Sequence, residues 1–181
     1  VGLGAPGPID GEGTVYGAVN LGWGTFSIRD TLAELLDLPV KAGNDANVAA
    51  LGEMWKGGGQ GCKNLIAVTL GTGVGGGIIV NGEILTGAVG AGGEIGHMHV
   101  EDNETERCGC GNTGCLEEYA SATGVVRLAR RALRSCEDPS VLRNVPEEKL
   151  SAKKVFDAVK DGDDLAVKIA EQFGEYLGKG L

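Results

Sequence analysis

Three cysteines and a histidine lie close together in the sequence. Cys108, Cys110 and Cys115 fall in the segment Cys-Gly-Cys-Gly-Asn-Thr-Gly-Cys, and His97 and His99, the only histidines, precede it. Three thiolates and one imidazole suit tetrahedral zinc, whereas five cysteines, an odd number, do not suggest a disulfide framework. The spacing favours a structural zinc site over reduced thiols without a metal, and this cysteine usage fits a reducing, cytoplasmic compartment.

Glycines form a second motif, Leu-Gly-Thr-Gly-Val-Gly-Gly-Gly, at residues 70–77. A strand-like segment follows it, so the helix that a dinucleotide-binding fingerprint requires is missing, and the chain has no P-loop motif. Successive backbone N–H groups at Gly71, Thr72 and Gly73 can instead form an anion-binding nest. The alternative is a plain glycine-rich hairpin.

Carboxylates make the third group. Asp45 stands at the start of a predicted helix, where it is either a helix cap or a base that takes a proton from an attacking hydroxyl. Glu94 and Glu117 flank the histidine and cysteine segment and would lie near a bound metal. For each glutamate alone, a solvated surface acid is the alternative.

The composition indicates a folded domain able to position these groups. The 181 residues include 33 glycines and carry a net charge of −9. Because no basic patch is evident, nucleic-acid binding by this segment is not expected. No apolar run approaches the roughly 18 residues of a membrane span.

Hydrophobic periodicity predicts alternating strands and helices. The predicted strands are 1–4, 40–42, 65–70, 75–80 and 83–85. Ser27 followed by Asp30 predicts a capping box that opens a helix, and Asn81-Gly82 predicts a hairpin turn. Further helices are predicted at 44–55, 116–134, 152–160 and 165–177, with a polar loop over 135–150.

Six motifs, in this order, resemble the ROK family, which includes bacterial glucokinases, other hexose and N-acetylhexosamine kinases, and sugar-responsive repressors. The motifs lie at residues 2–8, 20–23, 44–47, 70–77, 94–97 and 108–117. Among the members, the chain is most similar to the glucokinases.

The resemblance implies an α/β, actin-like or ribonuclease-H-like sugar kinase fold with parts of two lobes. Residues 1–60 would belong to the N-terminal small lobe and 61–181 to the large lobe with the zinc loop. The implied activity is ATP-dependent phosphorylation of a hexose, at O6 of glucose, in glycolysis, with Mg²⁺ accompanying ATP and a homo-oligomeric assembly. The alternatives are a sugar-responsive repressor and a kinase of another hexose, such as N-acetylmannosamine.

The resemblance also assigns roles to the candidate residues. Asp45 matches the catalytic base, and Gly71, Thr72 and Gly73 match a phosphate loop. The positions that match sugar ligands are Asn44, Asp45, Glu94, His97 and Glu117. The positions that match zinc ligands are His97, Cys108, Cys110 and Cys115, with His99 as a competing histidine.

Two elements of the family are missing from the 181 residues. The N-terminal phosphate loop, of the type Asp-x-Gly-Gly-Thr, is absent, as is the far C-terminal part of the adenosine pocket. The expectation is therefore an internal fragment that does not phosphorylate sugar by itself.

Overall fold

The computed structural model describes residues 1–18 and 21–181, so Asn20 of the predicted 20–23 motif lies outside the described residues. The strands are β1 (Gly2–Ala5), β2 (Thr14–Ala18), β3 (Trp23–Ser27), β4 (Lys41–Asn44), β5 (Leu65–Leu70), β6 (Val74–Val80) and β7 (Glu83–Ile84). The α-helices are α1 (Ile28–Leu36), α2 (Asp45–Lys56), α3 (Glu117–Ala120), α4 (Ala122–Ser135), α5 (Ala152–Lys160) and α6 (Asp164–Gly180). The chain is thus mixed α/β, as predicted.

The chain forms two compact units. The first contains residues 1–69 and 75–94, and the second contains residues 70–74 and 95–181. Each unit has its own buried core. The lobe boundary expected near residue 60 concerns the complete family fold and stays a prediction.

The first unit places the start of α2 at the end of a parallel strand pair. Strands β1 and β4 run parallel, with Ala5 opposite Asn44 at their carboxyl ends. The carboxyl edge of parallel strands is where α/β folds place ligand-binding groups. A small core, in which Ile9 and Val15 are almost fully buried, lies beside this pair.

Helix α2 packs closely on β6 within the first unit. A β-carbon at Gly77 would collide with the side chain of Ala50 and lie 2.7 Å from the carbonyl oxygen of Ala46. Only glycine therefore allows this strand and helix to approach so closely. The sheet order is β5-β6-β7, and β6 is antiparallel to β7 across the Asn81-Gly82 turn. Both turn residues have positive φ, which confirms the predicted hairpin.

The second unit is mainly helical and centres on α4, α5 and α6. Its core includes Val125, Val155 and Ile169, all at most 1% exposed. The single helix predicted over 116–134 is wrong: it is divided into α3 and α4, because Ser121 has extended backbone and caps α4 by accepting a hydrogen bond from Gly124 N–H. The predicted 135–150 loop contains two short 3₁₀ turns.

Local signals account for most of the other elements. Ser27 accepts a hydrogen bond from Asp30 N–H at the start of α1, which confirms the predicted helix start. The antiparallel pair β2–β3 was not predicted. No helix in the part of the chain that the structure describes is long and apolar enough to span a bilayer.

Candidate functional site

A short antiparallel ladder brings the histidine segment beside the last cysteine in the second unit. Leu116 N–H donates to Met98 O at 2.8 Å, and Val100 N–H donates to Gly114 O at 2.8 Å. A separate tight turn, closed by Gly111 N–H donating to Cys108 O, brings the first two cysteines together. The ladder and the turn therefore gather ligands that are up to 18 residues apart in the sequence.

The four predicted metal ligands form one cluster. One ligand atom from each of His97, Cys108, Cys110 and Cys115 lies within 4.8 Å of the others. Cys110 Sγ is 3.6 Å from Cys115 Sγ, and Cys108 Sγ is 3.7 Å from His97 Nδ1. Zinc bonds of about 2.3 Å to sulfur and about 2.0 Å to nitrogen set tetrahedral ligand atoms about 3.5–3.8 Å apart. The donor set and spacing therefore fit zinc.

His99 lies outside this cluster. Its Nδ1 is 2.9 Å from Thr113 O, and its Nε2 is 2.9 Å from Asp102 Oδ1. Both partners are acceptors, so both ring nitrogens are used in holding the loop. The structure thus places His97 rather than His99 among the cysteines.

The buried position of the cluster shifts the pKa values of its cysteines. Burial raises the pKa of Cys108 above its usual range and that of Cys115 to about 11. Burial also acts on Cys110, but the backbone N–H of Asn112 and the neighbouring thiols outweigh it and lower the pKa. A metal that binds here must displace thiol protons, as in other thiolate sites.

Glu117 connects the cluster to the glycine loop. Its Oε1 accepts a hydrogen bond from Cys108 Sγ at 3.0 Å and lies 3.4 Å from His97 Nδ1. Its Oε2 occupies the space where a β-carbon at position 73 would stand, so Gly73 directly adjoins this carboxylate. One side chain therefore contacts both the metal cluster and the predicted phosphate loop.

The first residues of helix α4 donate hydrogen bonds to carbonyl groups of the glycine loop. Ala122 N–H donates to Gly71 O at 2.8 Å, and the Thr123 hydroxyl donates to Thr72 O. The described residues contain no cis peptides, so the N–H of each peptide in the loop points away from the carbonyl of the same peptide. The N–H groups of Thr72 and Gly73 are consequently directed away from α4, as an anion nest requires.

Asn44, and not Asp45, caps α2. Asn44 Oδ1 accepts from Asn47 N–H at 3.1 Å, and Asn44 Nδ2 donates to Gly7 O at 3.1 Å. Asp45 is the first helical residue, is exposed, and accepts from Ala46 N–H at 2.8 Å. The helix-cap alternative for Asp45 is therefore wrong, because its neighbour performs that role.

The predicted site residues are divided between the two units. Asn44, Asp45 and Glu94 belong to the first unit, whereas His97 and Glu117 belong to the second, together with the cysteines and the 71–73 loop. The structure brings the second group into mutual contact. That the two groups bind one substrate remains a prediction.

A buried network of charged side chains, centred on Glu104 shortly before the first clustered cysteine, was not predicted from the sequence. Glu104, whose side chain is 3% exposed, accepts from the Tyr119 hydroxyl and from Arg131, and it pairs with Arg127 at 2.9 Å. Arg127 also pairs with Glu118 at 2.7 Å. The network therefore fastens the loop before Cys108 to α3 and α4. Glu104 and Arg127 are 23 residues apart, so no local sequence pattern predicts their ion pair.

The comparisons with known proteins agree with this architecture. A sequence profile of the ROK family matches residues 1–181. The glucokinase of Halalkalibacterium halodurans is 48% identical over 180 residues, covering 98% of this chain and 54% of that protein. A solved ROK family glucokinase from Streptomyces griseus, in complex with glucose and AMPPNP, is 37% identical with a TM-score of 0.82, covering 98% and 58%.

A regulator is similar as well. A solved ROK family transcriptional regulator, described as a homolog of the E. coli MLC protein, is 31% identical with a TM-score of 0.86, covering 99% of this chain and 44% of that one. The described elements thus form part of the actin-like fold. The chain belongs to the ROK family. It spans about half the length of the curated relatives it matches.

Proposed function

We propose that the protein is an ATP-dependent hexose kinase that transfers the γ-phosphoryl group to O6 of glucose. The observation that carries this proposal is the division of labour at the start of α2, where Asn44 caps the helix and Asp45 presents an exposed carboxylate. A carboxylate that the fold does not need as a cap is available as a base. The similarity to glucokinases supports the choice of substrate.

In the proposed reaction, Asp45 accepts the proton of the attacking sugar hydroxyl while the phosphorus–oxygen bond to the leaving ADP breaks. Asn44, Glu94, His97 and Glu117 bind the other hydroxyl groups and fix the orientation of the sugar. The N–H groups of Thr72 and Gly73 hold the nucleotide phosphates, whereas Gly71 N–H donates to Gly73 O at 3.0 Å within the loop. Mg²⁺ enters with ATP and offsets the phosphate charge.

The metal cluster has a structural role in this proposal. His97, Cys108, Cys110 and Cys115 hold a zinc ion, which keeps the loop folded and fixes the ring of His97. The 3.6 Å and 3.7 Å separations between ligand atoms support this assignment. Because Glu117 adjoins the same cluster, loss of zinc disturbs two of the proposed sugar ligands at once.

A sugar-responsive repressor is the second candidate. The solved regulator matches 99% of this chain, and this similarity favours the repressor function. Such a protein would keep the zinc cluster and the sugar ligands but would respond to sugar without phosphorylating it. The two functions therefore differ in what they predict for ATP turnover.

The deciding experiment is a kinase assay on the complete natural protein that contains this chain. It compares glucose, mannose, N-acetylglucosamine and N-acetylmannosamine as acceptors. The proposal predicts ATP-dependent formation of glucose 6-phosphate as the fastest reaction. Tight sugar binding with no phosphorylation of any acceptor would instead identify a repressor. We do not expect the 181 residues alone to phosphorylate sugar. The same proposal includes a cytoplasmic location, a homo-oligomeric assembly and a role in glycolysis.

A further inference from the structure

The second unit contains an open pocket far along α4 from the glycine loop. It has a volume of about 240 Å³ and lies between the C-terminal half of α4 and residues 142–150. Three of its lining residues are arginines, Arg130, Arg134 and Arg143, and one is acidic, Glu147. In a chain with a net charge of −9, this is a local excess of positive charge. We call it the arginine pocket.

Arg143 is a fixed part of the wall. Its guanidinium donates to Leu133 O at 3.1 Å, to Cys136 O at 2.6 Å and to Asp138 O at 2.8 Å. These partners are neutral carbonyls at and beyond the end of α4, while the Asp138 carboxylate lies near enough for the charge of Arg143 to contribute to lowering its pKa. The positive charge of Arg143 is thus only partly offset and attracts an anion into the pocket.

Arg130 and Arg134 already show that they can hold a carboxylate. Arg134 donates to Glu147 Oε1 at 2.6 Å, and Arg130 Nε lies 3.5 Å from the same oxygen. That Nε atom is buried and has no hydrogen-bond partner among the described residues. A buried donor without a partner is costly, which favours a ligand able to satisfy it.

Glu147 is a weak occupant of this position. Its side chain is 54% exposed and lies on a three-residue 3₁₀ turn. Exposed ion pairs of this kind contribute little, so an incoming anion displaces the carboxylate at small cost. Guanidinium groups bind carboxylate and phosphate through paired donors, which a single oxygen of Glu147 does not use fully.

The rest of the pocket is apolar. Leu133 and Val145 line it with partly exposed side chains, together with the buried Leu142 and Leu150. A cavity of about 150 Å³ is large enough for benzene in another protein. The arginine pocket therefore has room for a ring or a short aliphatic body beside the anionic group. A free inorganic anion would leave this surface uncovered.

We propose that the arginine pocket binds a small organic anion, a phosphate ester or carboxylate with an apolar body, whose charged group replaces Glu147 on Arg130 and Arg134. The pocket lies within the second unit and is separate from the metal cluster and the glycine loop. Binding there does not depend on kinase activity, so it is testable whichever function the protein has.

The test is calorimetric titration of the complete natural protein with phenyl phosphate, benzoate and inorganic phosphate. We expect phenyl phosphate or benzoate to bind at least fivefold more tightly than inorganic phosphate, because only they fill the apolar part. The Arg130→Gln/Arg134→Gln variant should weaken that binding at least tenfold. Lys153→Gln is a control for the loss of a cation outside the pocket: it removes one exposed cation from an ion pair, where the test variant removes two, and should change the affinity less than twofold.

Glu147→Gln gives a result in the opposite direction. Removing the competing carboxylate should tighten binding by about threefold or more, an outcome that no damage to folding can imitate. Affinity that is unchanged in both the arginine and the Glu147 variants would overturn the proposal. Equal affinity for inorganic phosphate and the two organic anions would overturn the proposal that the ligand has an apolar body.

Discussion

The carboxylate of Glu117 and the α-carbon of Gly73 are packed directly against each other. The β-carbon of any side chain at position 73 would collide with Glu117 Oε2. The other oxygen of Glu117 contacts Cys108 and His97. The predicted phosphate loop and the predicted metal ligands therefore adjoin through one carboxylate, which is itself a predicted sugar ligand. A change at any of the three should therefore be measurable at the others.

Gly73→Ala tests this contact by stability. The added methyl group collides with Glu117 Oε2, and moving this oxygen disturbs the contacts of the same carboxylate with Cys108 and His97, so we expect a cost of about 1 kcal/mol, at the low end for overpacking. In a Glu117→Ala background the same substitution should cost less than about 0.5 kcal/mol, because the obstructing carboxylate is gone. Urea unfolding measures both. Gly71→Ala is the control, since a β-carbon there meets nothing within 4 Å. Equal costs in the two backgrounds would contradict the contact.

Asp45→Asn in the complete natural protein tests the proposed base. The amide cannot take a proton at neutral pH, so kcat should fall by at least about 10²-fold with a smaller change in KM. The control is Asp163→Asn at a true helix cap, where Asp163 accepts from Ala166 N–H. That variant should keep its kcat. A kcat for Asp45→Asn within about threefold of the unmodified protein would rule out this mechanism.

Metal analysis tests the zinc cluster. We expect one zinc per chain in folded protein purified without chelator, and a large loss of zinc in Cys110→Ser. Cys62→Ser is the matched control, because Cys62 is an exposed free cysteine outside the cluster. Cys110→Ser should also weaken sugar binding, since the ring of His97 loses its fixed orientation. Folded protein with a zinc-to-protein ratio near zero would exclude the site.

Stability in acid should depend on Glu104. Burial alone would raise its pKa, but hydrogen bonds from Tyr119, the Glu106 N–H and Arg131, with the charge of Arg127, hold the pKa at about 2. The ordinary value is 4.5, so the stabilisation is complete above pH 4.5 and is lost as the pH falls from 4.5 towards 2. A shift of this size corresponds to about 3 kcal/mol.

Glu104→Gln should remove this pH dependence. Breaking a buried pair of this kind is expected to cost about 3–5 kcal/mol in the free energy of unfolding at pH 7. Glu106→Gln removes a partner of the same Arg127, but its side chain is 67% exposed, so the expected cost is at most about 1 kcal/mol. Chemical denaturation from pH 2 to pH 7 checks both variants. Similar losses in the two would show that burial does not matter here.

Features set by neighbouring residues were predictable from the sequence. The Ser27 cap and the Asn81-Gly82 turn depend on contacts over three residues or fewer, and both are present. The cluster of His97 with three cysteines was predictable because the cysteines lie within eight residues of one another. Strands β2 and β3 were not predicted from the sequence. Tyr16 in β2 and Trp23 in β3 are apolar but exposed, so the apolar residues of these strands do not mark one buried face.

Features that depend on tertiary packing could not be read from the sequence. Glu104 and Arg127 are far apart along the chain, and nothing local pairs them. The same holds for Gly73 and Glu117, which are 44 residues apart in the sequence. The choice of Asn44 over Asp45 as the cap was also hidden, because both residue types cap helices equally well.

The separate duties of Asn44 and Asp45 have an evolutionary consequence. On the proposed mechanism, phosphoryl transfer rests on one side chain and the helix start on its neighbour, so mutation can remove the first without unfolding the second. A duplicated gene could then keep a protein that still recognises sugar but no longer consumes ATP. Catalysts and sensors would diverge from a common ancestor by a change at a single codon, with the scaffold inherited intact.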